Sequence, residues 1–287
     1  HTMITNILAY VDGHGSEESA AETAFQLAIR HEAHVEGVHV RVDARDFVTN
    51  APVYSGVESL ERFTESFDRE AEQLEKRATD AFTQARERHG VVEQEASVPI
   101  TKPSAHCTTI SGRAGAIVSE NARVSDVCVV GRANHGRSDP TMPVIEAALF
   151  DSGRPVLVAP PQLPNSVGSD IVIAWNRSAA AARALNSAMP FFDKADKIRI
   201  LYVETGAKSG PSAENAAAYI ERHGFNVETE TMRPHTQGVG STLLWYAQNA
   251  DLLVRGAYSH SRLREVILGG VTRYVLTNAE IPVLMVH

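Results

Sequence analysis

The chain has 287 residues, a formal net charge of −8, 43% apolar residues and 22% charged residues. This acidic balance argues against a general nucleic-acid binder, which needs a basic face for the phosphate backbone, although a small anion could still bind in a local basic pocket. No apolar run approaches the ~20 residues of a membrane span. The composition therefore predicts a soluble protein that is not embedded in a membrane.

Two cysteines, Cys107 and Cys128, are the complete set in the chain. Two scattered cysteines, one in a loop-like context and one in an apolar strand, neither form a disulfide framework nor complete a zinc motif. A reducing cytoplasm is the expected location. No metal site is predicted, because the twelve histidines are dispersed and lack the spacing of a metal-binding helix.

The elements of the first half begin with a strand over 4–11 that ends at Asp12, followed by a helix from Ser16 to His31. Further elements follow in alternation. They are a strand over 35–42, a long amphipathic helix over 57–89, a third strand at 91–98, a helix near 112–123, a strand ending at Gly131, and a proline-led strand at 155–158.

The second half repeats this plan after a stiff proline-rich linker. Its elements are strands over 170–175, 198–203, 226–232 and 282–286, a further strand ending at Gly256, and helices near 179–189, 211–223 and 240–248. Nearly all central strand residues are apolar, which is typical of a parallel sheet covered on both faces.

One sequence pattern occurs twice, over 126–137 and 251–262. Each copy is an apolar strand that stops at a glycine, Gly131 or Gly256, before a polar loop that contains a histidine and, two residues later, an arginine. These two basic side chains either form an electropositive rim for an anion or are solvated loop residues. The in-register repeat indicates a duplicated domain. We expect a first domain over 3–160, a linker over 161–168 and a second domain over 169–287.

The alternation of strands and helices predicts an α/β protein with two tandem doubly wound domains, each with a five-stranded parallel sheet flanked by helices. Ligands of such sheets bind outside the carboxyl ends of the strands. This rule places Asp12, Gly131, Asn176 and Gly256 where a ligand would lie.

A glycine pair, Gly269-Gly270, precedes the last helix of the second half. Backbone N–H groups of Gly269, Gly270 and Val271 would be unpaired donors at the helix N-terminus, which suits the phosphate group of a nucleotide. Gly256 would let the backbone approach that ligand closely. In the alternative interpretation Gly256 only turns the chain and the glycine pair only caps a helix.

From Gly256 onward the sequence resembles the tandem type of the universal stress protein family, and the resemblance covers nearly the whole chain. The ATP-binding members carry Gly, two residues, Gly, nine residues, Gly, then Ser or Thr. Here Gly256 and Gly269 match, while Ser259 replaces the second glycine and Gly270 replaces the hydroxyl residue. Half of the motif is intact.

The resemblance also implies that the residue after the first strand contacts the adenine end and that the close of the second strand supplies backbone contacts. These roles fall on Asn176 and Val203; asparagine in place of aspartate loses the charge. We expect ATP or another adenine nucleotide to bind weakly in the second half, in a stress response. The candidate binding residues are Asn176, Val203, Gly256, Ser259, Gly269, Gly270, Val271 and Thr272.

The first half keeps Asp12 and Gly131 but has Asn134 for the second glycine. Pro140 and Pro143 stand where the glycine pair would be, and each removes an N–H that could contact phosphate. Asp12 and Gly131 are therefore a lesser candidate site, and we expect this half to be structural or to bind something other than ATP.

Two other function classes stay open. One is a non-nucleotide interaction scaffold that binds partner proteins through the helix over 57–89, and the other is an enzyme whose acid is Asp12. No catalytic cluster lies beside the glycines, so slow ATP hydrolysis is the most turnover we expect. The family resemblance further implies that the halves pack as a pseudo-dimer, with the proline-led strands available for edge pairing, and a homodimer is possible.

Overall fold

The computed structural model describes residues 3–42, 57–95, 99–132, 140–206, 209–257 and 268–287, with the backbone alone over 57–61 and at 63. Within these ranges the chain forms eleven strands and eight helices. The strands are β1 Asn6–Tyr10, β2 His34–Arg41, β3 Val92–Glu93, β4 Ser104–Ser111, β5 Val127–Gly131, β6 Val156–Ala159, β7 Asp170–Trp175, β8 Lys197–Val203, β9 Glu228–Met232, β10 Leu252–Gly256 and β11 Val283–Val286. The helices are α1 Glu17–His31, α2 Val57–Arg88, α3 Ala114–Ala122, α4 Thr141–Asp151, α5 Ala179–Phe192, α6 Ala213–Arg222, α7 Val239–Ala247 and α8 Gly270–Asn278.

The described strands form one sheet in the order β3-β4-β2-β1-β5-β6-β11-β10-β7-β8-β9. Neighbouring strands are parallel within each half, whereas β6 and β11 pair antiparallel, with Val158 opposite Val283 and Val156 opposite Met285. The predicted class, two tandem doubly wound α/β halves, is confirmed. The proline-led final strands join the halves, which satisfies two edges that would otherwise be open.

The third strand of the first half differs from the sequence prediction. Within the described part of the segment predicted as a strand over 91–98, residues 91–95, the strand formed is β3, Val92–Glu93, at the sheet edge. The strand that pairs with β2 is β4, from His34 opposite Ser104 to Arg41 opposite Ser111. β4 consists mostly of serine, threonine and histidine, so it lacks the apolar pattern by which a strand is recognised. Cys107 consequently lies in a strand and not in a loop.

Two apolar layers cover the sheet. One layer contains buried residues of α1, α2, α5 and α6, and the other contains residues of α3, α4, α7 and α8. Phe25, Phe191 and Phe192 are among the largest fully buried side chains of the first layer. None of the helices in the described ranges is both long and apolar enough to cross a membrane.

Helix α2 is the main departure from symmetry between the halves. Its Phe82 ring packs against Phe25 with ring centroids 5.0 Å apart, and a Cβ at Gly37 would lie 2.5 Å from that ring. Further toward the helix N-terminus, α2 passes against the loop after β1. Gly13 has φ +78°, and a Cβ there would lie 2.3 Å from the carbonyl oxygen of Leu74. This helix therefore covers the strand-end region of the first half.

Candidate functional site

The carboxyl ends of β7, β8 and β10 lie at one edge of the second half, because the three strands are parallel neighbours. The topology brings Asn176, Val203 and Gly256 to this edge. Asn176 follows β7, and Gly256 is the last residue of β10. The chain winds in opposite directions from these two neighbouring strands, and doubly wound sheets bind ligands at such a point. Ser259 and the loop histidines at 135 and 260 lie outside the described residues.

Asn176 lies in a tight turn that starts helix α5. Its Oδ1 accepts hydrogen bonds from the Ser178 backbone nitrogen at 3.2 Å and from Ser178 Oγ at 2.6 Å. Ser178 Oγ in turn accepts from the Ala181 backbone nitrogen at 3.1 Å and caps the helix. Since this oxygen is used within the turn, an adenine base at Asn176 would meet the amide nitrogen, which is a donor.

Gly256 has a packing role that the sequence did not reveal. A Cβ at Gly256 would lie 2.5 Å from the Ala180 carbonyl carbon and 2.7 Å from the Ala181 nitrogen. Gly131 packs equally closely against the start of the first helix in the first half, because a Cβ at Gly131 would lie 2.1 Å from Ser16 Oγ. Both glycines let the first helix of a half approach the strand end, so the space beside Gly256 is filled by α5.

The start of α8 has the geometry of an anion site. Gly269 is the N-cap in an extended conformation, φ −61° and ψ 155°, and no described side chain caps the helix. The first intrahelical bond runs from Arg273 N to Gly269 O at 2.9 Å, so the N–H groups of Gly270, Val271 and Thr272 have no intrahelical acceptor. A Cβ at Gly270 would meet nothing within 4 Å. These donors and the positive end of the helix dipole favour an anion.

Arg255 is a residue of this site that the sequence prediction missed. It is only 7% exposed, and it donates from Nη1 to Val271 O and from Nη2 to Thr272 Oγ1, both at 3.0 Å. Burial lowers the pKa of its guanidinium to about 10. Within the described ranges its acceptors are uncharged oxygens. The available signal was a charged residue in an apolar strand, where the first copy of the repeat has Val130.

The corresponding region of the first half is closed. Asp12 is 3% exposed; its Oδ1 accepts from His14 N at 2.9 Å, and its Oδ2 accepts from Ser16 Oγ at 2.9 Å and Thr141 Oγ1 at 3.0 Å. Arg77 of α2 donates to Gly13 O at 2.9 Å across the same loop. With both oxygens engaged by the protein, Asp12 is poorly placed to act on a ligand as an acid.

Burial around Asp12 changes the pKa values of two neighbouring ionisable groups. Burial, with the nearby charge of Asp12, raises the pKa of Tyr10. Burial also raises the pKa of Glu17, whose Oε2 accepts from Gly15 N at 2.6 Å. The buried surroundings of Asp12 therefore disfavour additional negative charge, which argues against a nucleotide phosphate beside Asp12.

Arg132 connects the first half to the far end of α8. Its Nη1 donates to Ala279 O at 2.7 Å and lies 3.3 Å from Glu280 Oε1. Ala279 is the C-cap of α8, where a cation complements the helix dipole. Helix α8 is thus held by Arg255 at its first turn and by Arg132 at its last.

Other reactive chemistry is sparse in the described part of the chain. No group of three His, Cys, Asp or Glu side chains there is arranged to hold a metal ion. Cys107 and Cys128 are free thiols, and burial raises the pKa of each to about 12, so neither is an activated nucleophile.

Fold and site together define a tandem doubly wound α/β protein with one closed and one open strand-end region. Residues 206–287 match the universal stress protein family.

One protein sequence and two solved structures are similar to this chain. Universal stress protein Slr1230 of Synechocystis is 29% identical over 138 residues, 46% of this chain and 46% of that protein, so the match spans about half of the relative's length. The crystal structure of a universal stress protein from Archaeoglobus fulgidus is 15% identical, covers 98% of this chain and 97% of its own, and has a TM-score of 0.67. A protein of unknown function from Pseudomonas aeruginosa PAO1 is 14% identical, covers 99% and 92%, and has a TM-score of 0.54. The fold therefore extends over the whole chain.

Proposed function

We propose that the second half binds an adenine nucleotide, ATP, ADP or AMP, weakly and without transforming it, as part of a cytoplasmic stress response. The observation that carries the proposal is the first turn of α8, which no described side chain caps and where no described atom would contact a Cβ at Gly270, adjacent to the end of β10. The nucleotide would lie along the carboxyl edge of the sheet, with its phosphates on α8 and its base toward Asn176 and Val203.

Electrostatics supports the phosphate end. The free N–H groups of Gly270 and Val271 and the helix dipole attract an anion, an effect of about 0.3–1 kcal/mol for one charge at an exposed helix end. The buried guanidinium of Arg255, 3.0 Å from the Val271 carbonyl oxygen, adds positive charge beneath the same turn. A phosphate group is the nucleotide component that suits this combination.

The adenine end supports weak binding only. Asn176 carries no charge, and its oxygen already accepts two hydrogen bonds from Ser178. Val203 ends β8 and is 4% exposed, so it offers backbone groups and little side chain. We expect affinity in the millimolar to high micromolar range, equivalent to roughly 4–6 kcal/mol of binding free energy.

The test is calorimetric titration with ATP, ADP, AMP and adenosine. Gly270→Pro removes one N–H at the first position of α8, where proline fits a helix and follows an extended Gly269. ATP affinity should fall about tenfold, the loss expected for one hydrogen bond to a charged group, while the unfolding temperature is maintained.

Ala114→Pro is the matched control, because it makes the same change at the first position of α3, after an extended N-cap in the first half. Its ATP affinity should equal that of the wild type. Absence of heat with every nucleotide at millimolar concentration would overturn the proposal and favour the interaction scaffold. Equal ATP affinities of Gly270→Pro and the wild type would show that the phosphate does not bind at the start of α8.

A further inference from the structure

A cavity of about 690 Å³ lies where the end of α4 from the first half meets α5, α6 and β11 of the second. Its volume falls within the range of small-molecule sites. Every lining residue belongs to the described part of the chain. The apolar surface comes from Leu149, Trp175, Leu185, Ala216 and Val286.

Two arginines, Arg154 and Arg183, line this cavity. Arg154 Nε donates to Arg123 O at 3.0 Å, and Arg183 Nε donates to His287 O at 2.9 Å. Among the described residues neither guanidinium forms an ion pair with an aspartate or glutamate. Burial, together with the charge of Arg183, lowers the pKa of His287. The lining thus contains two arginine side chains and no aspartate or glutamate.

The uncharged polar groups of the lining also offer donors. Asn186 Oδ1 accepts from the Tyr219 hydroxyl at 3.4 Å. Asn215 Oδ1 accepts from Ser212 N at 3.0 Å, within the capping box of α6. Since both amide oxygens are used by the protein, the amides have N–H groups left to present. A ligand of this cavity needs hydrogen-bond acceptors and negative charge.

We propose that the cavity binds a small organic carboxylate with an aromatic body. The body would pack on Trp175 and its apolar neighbours, and the carboxylate would bind Arg154 and Arg183. This site is separate from the proposed phosphate position, because α5 and α6 cover one face of the sheet whereas α8 covers the other. It therefore stands independently of nucleotide binding.

Trp175 supplies a direct readout, since its indole lines the cavity and its Nε1 donates to Pro211 O at 3.0 Å. The other tryptophan, Trp245, is 52% exposed and can be replaced in a Trp245→Phe background. The probe is 4-phenylbutyrate, compared with its neutral and cationic analogues, 4-phenylbutan-1-ol and 4-phenylbutylamine. We expect a saturable change in Trp175 fluorescence, with the carboxylate bound about tenfold more tightly than the alcohol and the amine bound least.

Variants in the same Trp245→Phe background distinguish the effect of the arginine charges from the effect of the cavity's shape. Arg154→Gln and Arg183→Gln should each weaken the carboxylate about tenfold and leave the alcohol unchanged. Arg222→Gln removes an exposed arginine of α6 outside the cavity lining and should change neither. Ala182→Phe places a ring at an exposed lining position and should abolish binding of all three probes while the unfolding temperature is maintained.

Several results would overturn the proposal. Three of them are absence of any saturable signal with 4-phenylbutyrate, equal affinities for the acid, alcohol and amine, and competition between ATP and the carboxylate. Retention of wild-type carboxylate affinity in both arginine variants would equally refute it.

Discussion

Thr141 Oγ1 donates a 3.0 Å hydrogen bond to Asp12 Oδ2, joining the first residue of α4 to the loop after β1. In the second half the first residue of α8 is Gly270, which has no side chain to reach across to Asn176. The duplicated fold thus presents its strand-end region in two states. In the first half the Thr141 hydroxyl bonds the acid after the first strand, and in the second half no described side chain caps the corresponding helix N-terminus.

Thr141→Val tests whether this bond closes the first half. The change keeps the shape of the side chain but removes a donor to a buried carboxylate, so the free energy of unfolding should fall by about 1–3 kcal/mol. Urea unfolding measures the loss. Thr231→Val, at an exposed position of β9, is the control and should change stability by less than about 0.5 kcal/mol. Unchanged stability of Thr141→Val would mean that Asp12 does not need this donor.

Gly256→Ala and Gly270→Ala should have opposite effects on the fold. At Gly256 the new methyl group would lie 2.5 Å from the Ala180 backbone, so α5 must shift at a cost of about 1–3 kcal/mol. At Gly270 the methyl group meets nothing within 4 Å, and alanine favours helix by up to about 1 kcal/mol. Thermal unfolding of the two variants measures the contrast. A lower unfolding temperature for Gly270→Ala than for Gly256→Ala would contradict the packing explanation.

Much of the fold was accessible from the sequence because local patterns and tertiary packing agree. The alternating apolar strands and periodic helices predict two doubly wound halves, and the glycine pair predicts where α8 begins. Strand β4 was missed because its pairing with β2 rests on backbone hydrogen bonds and not on apolar side chains. Tertiary context decided the strand there, and the polar segment carried no pattern to show it.

The candidate site was predictable in outline but not in its contacts. Parallel strand ends must share an edge, so Asn176, Val203 and Gly256 could be placed together from sequence alone. The packing role of Gly256 could not be predicted from the sequence. A glycine that leaves space for a ligand and a glycine that leaves space for a helix look the same in a sequence. The bonds of Arg255 to α8 depend on contacts between residues 16 and 17 positions apart, which no local pattern encodes.

Arg255→Met tests the electrostatic part of the site. Methionine fills a similar apolar volume but removes the buried charge and the bonds to Val271 and Thr272. If Arg255 acts on phosphate, ATP affinity should fall about tenfold and the preference for ATP over adenosine should shrink, because adenosine has no phosphate. Calorimetric titration of both ligands measures the ratio. An unchanged ratio of the ATP and adenosine affinities would show that Arg255 only holds α8 in place and does not act on phosphate.

Glu22 joins α1 to the C-terminal end of α2 and should give stability a defined pH dependence. It is 7% exposed in its side chain, and its oxygens lie 2.7 Å from His89 Nε2 and 2.6 Å from Arg88 Nη1. Burial alone would raise the pKa of Glu22, but hydrogen bonds from His89, Gln26 and Arg88, with the attraction of His89, lower it below its usual value of 4.5. An acid with a lowered folded-state pKa stabilises the fold at pH values above 4.5, and this contribution is lost as the pH falls through the folded-state pKa.

Glu22→Gln should therefore cost about 1–3 kcal/mol at pH 7, a range kept modest because Arg88 is 44% exposed and water screens its charge. The difference from wild type in urea unfolding should persist from pH 7 to about pH 5 and should shrink only as the pH falls below 4.5 through the lowered folded-state pKa of Glu22. Glu18→Gln is the control: Glu18 lies 3.8 Å from the same Arg88 but is 59% exposed, so its loss should change stability by under about 1 kcal/mol. A destabilisation of Glu22→Gln that stayed constant down to pH 3 would show that shape, and not the charge of Glu22, holds α2 against α1.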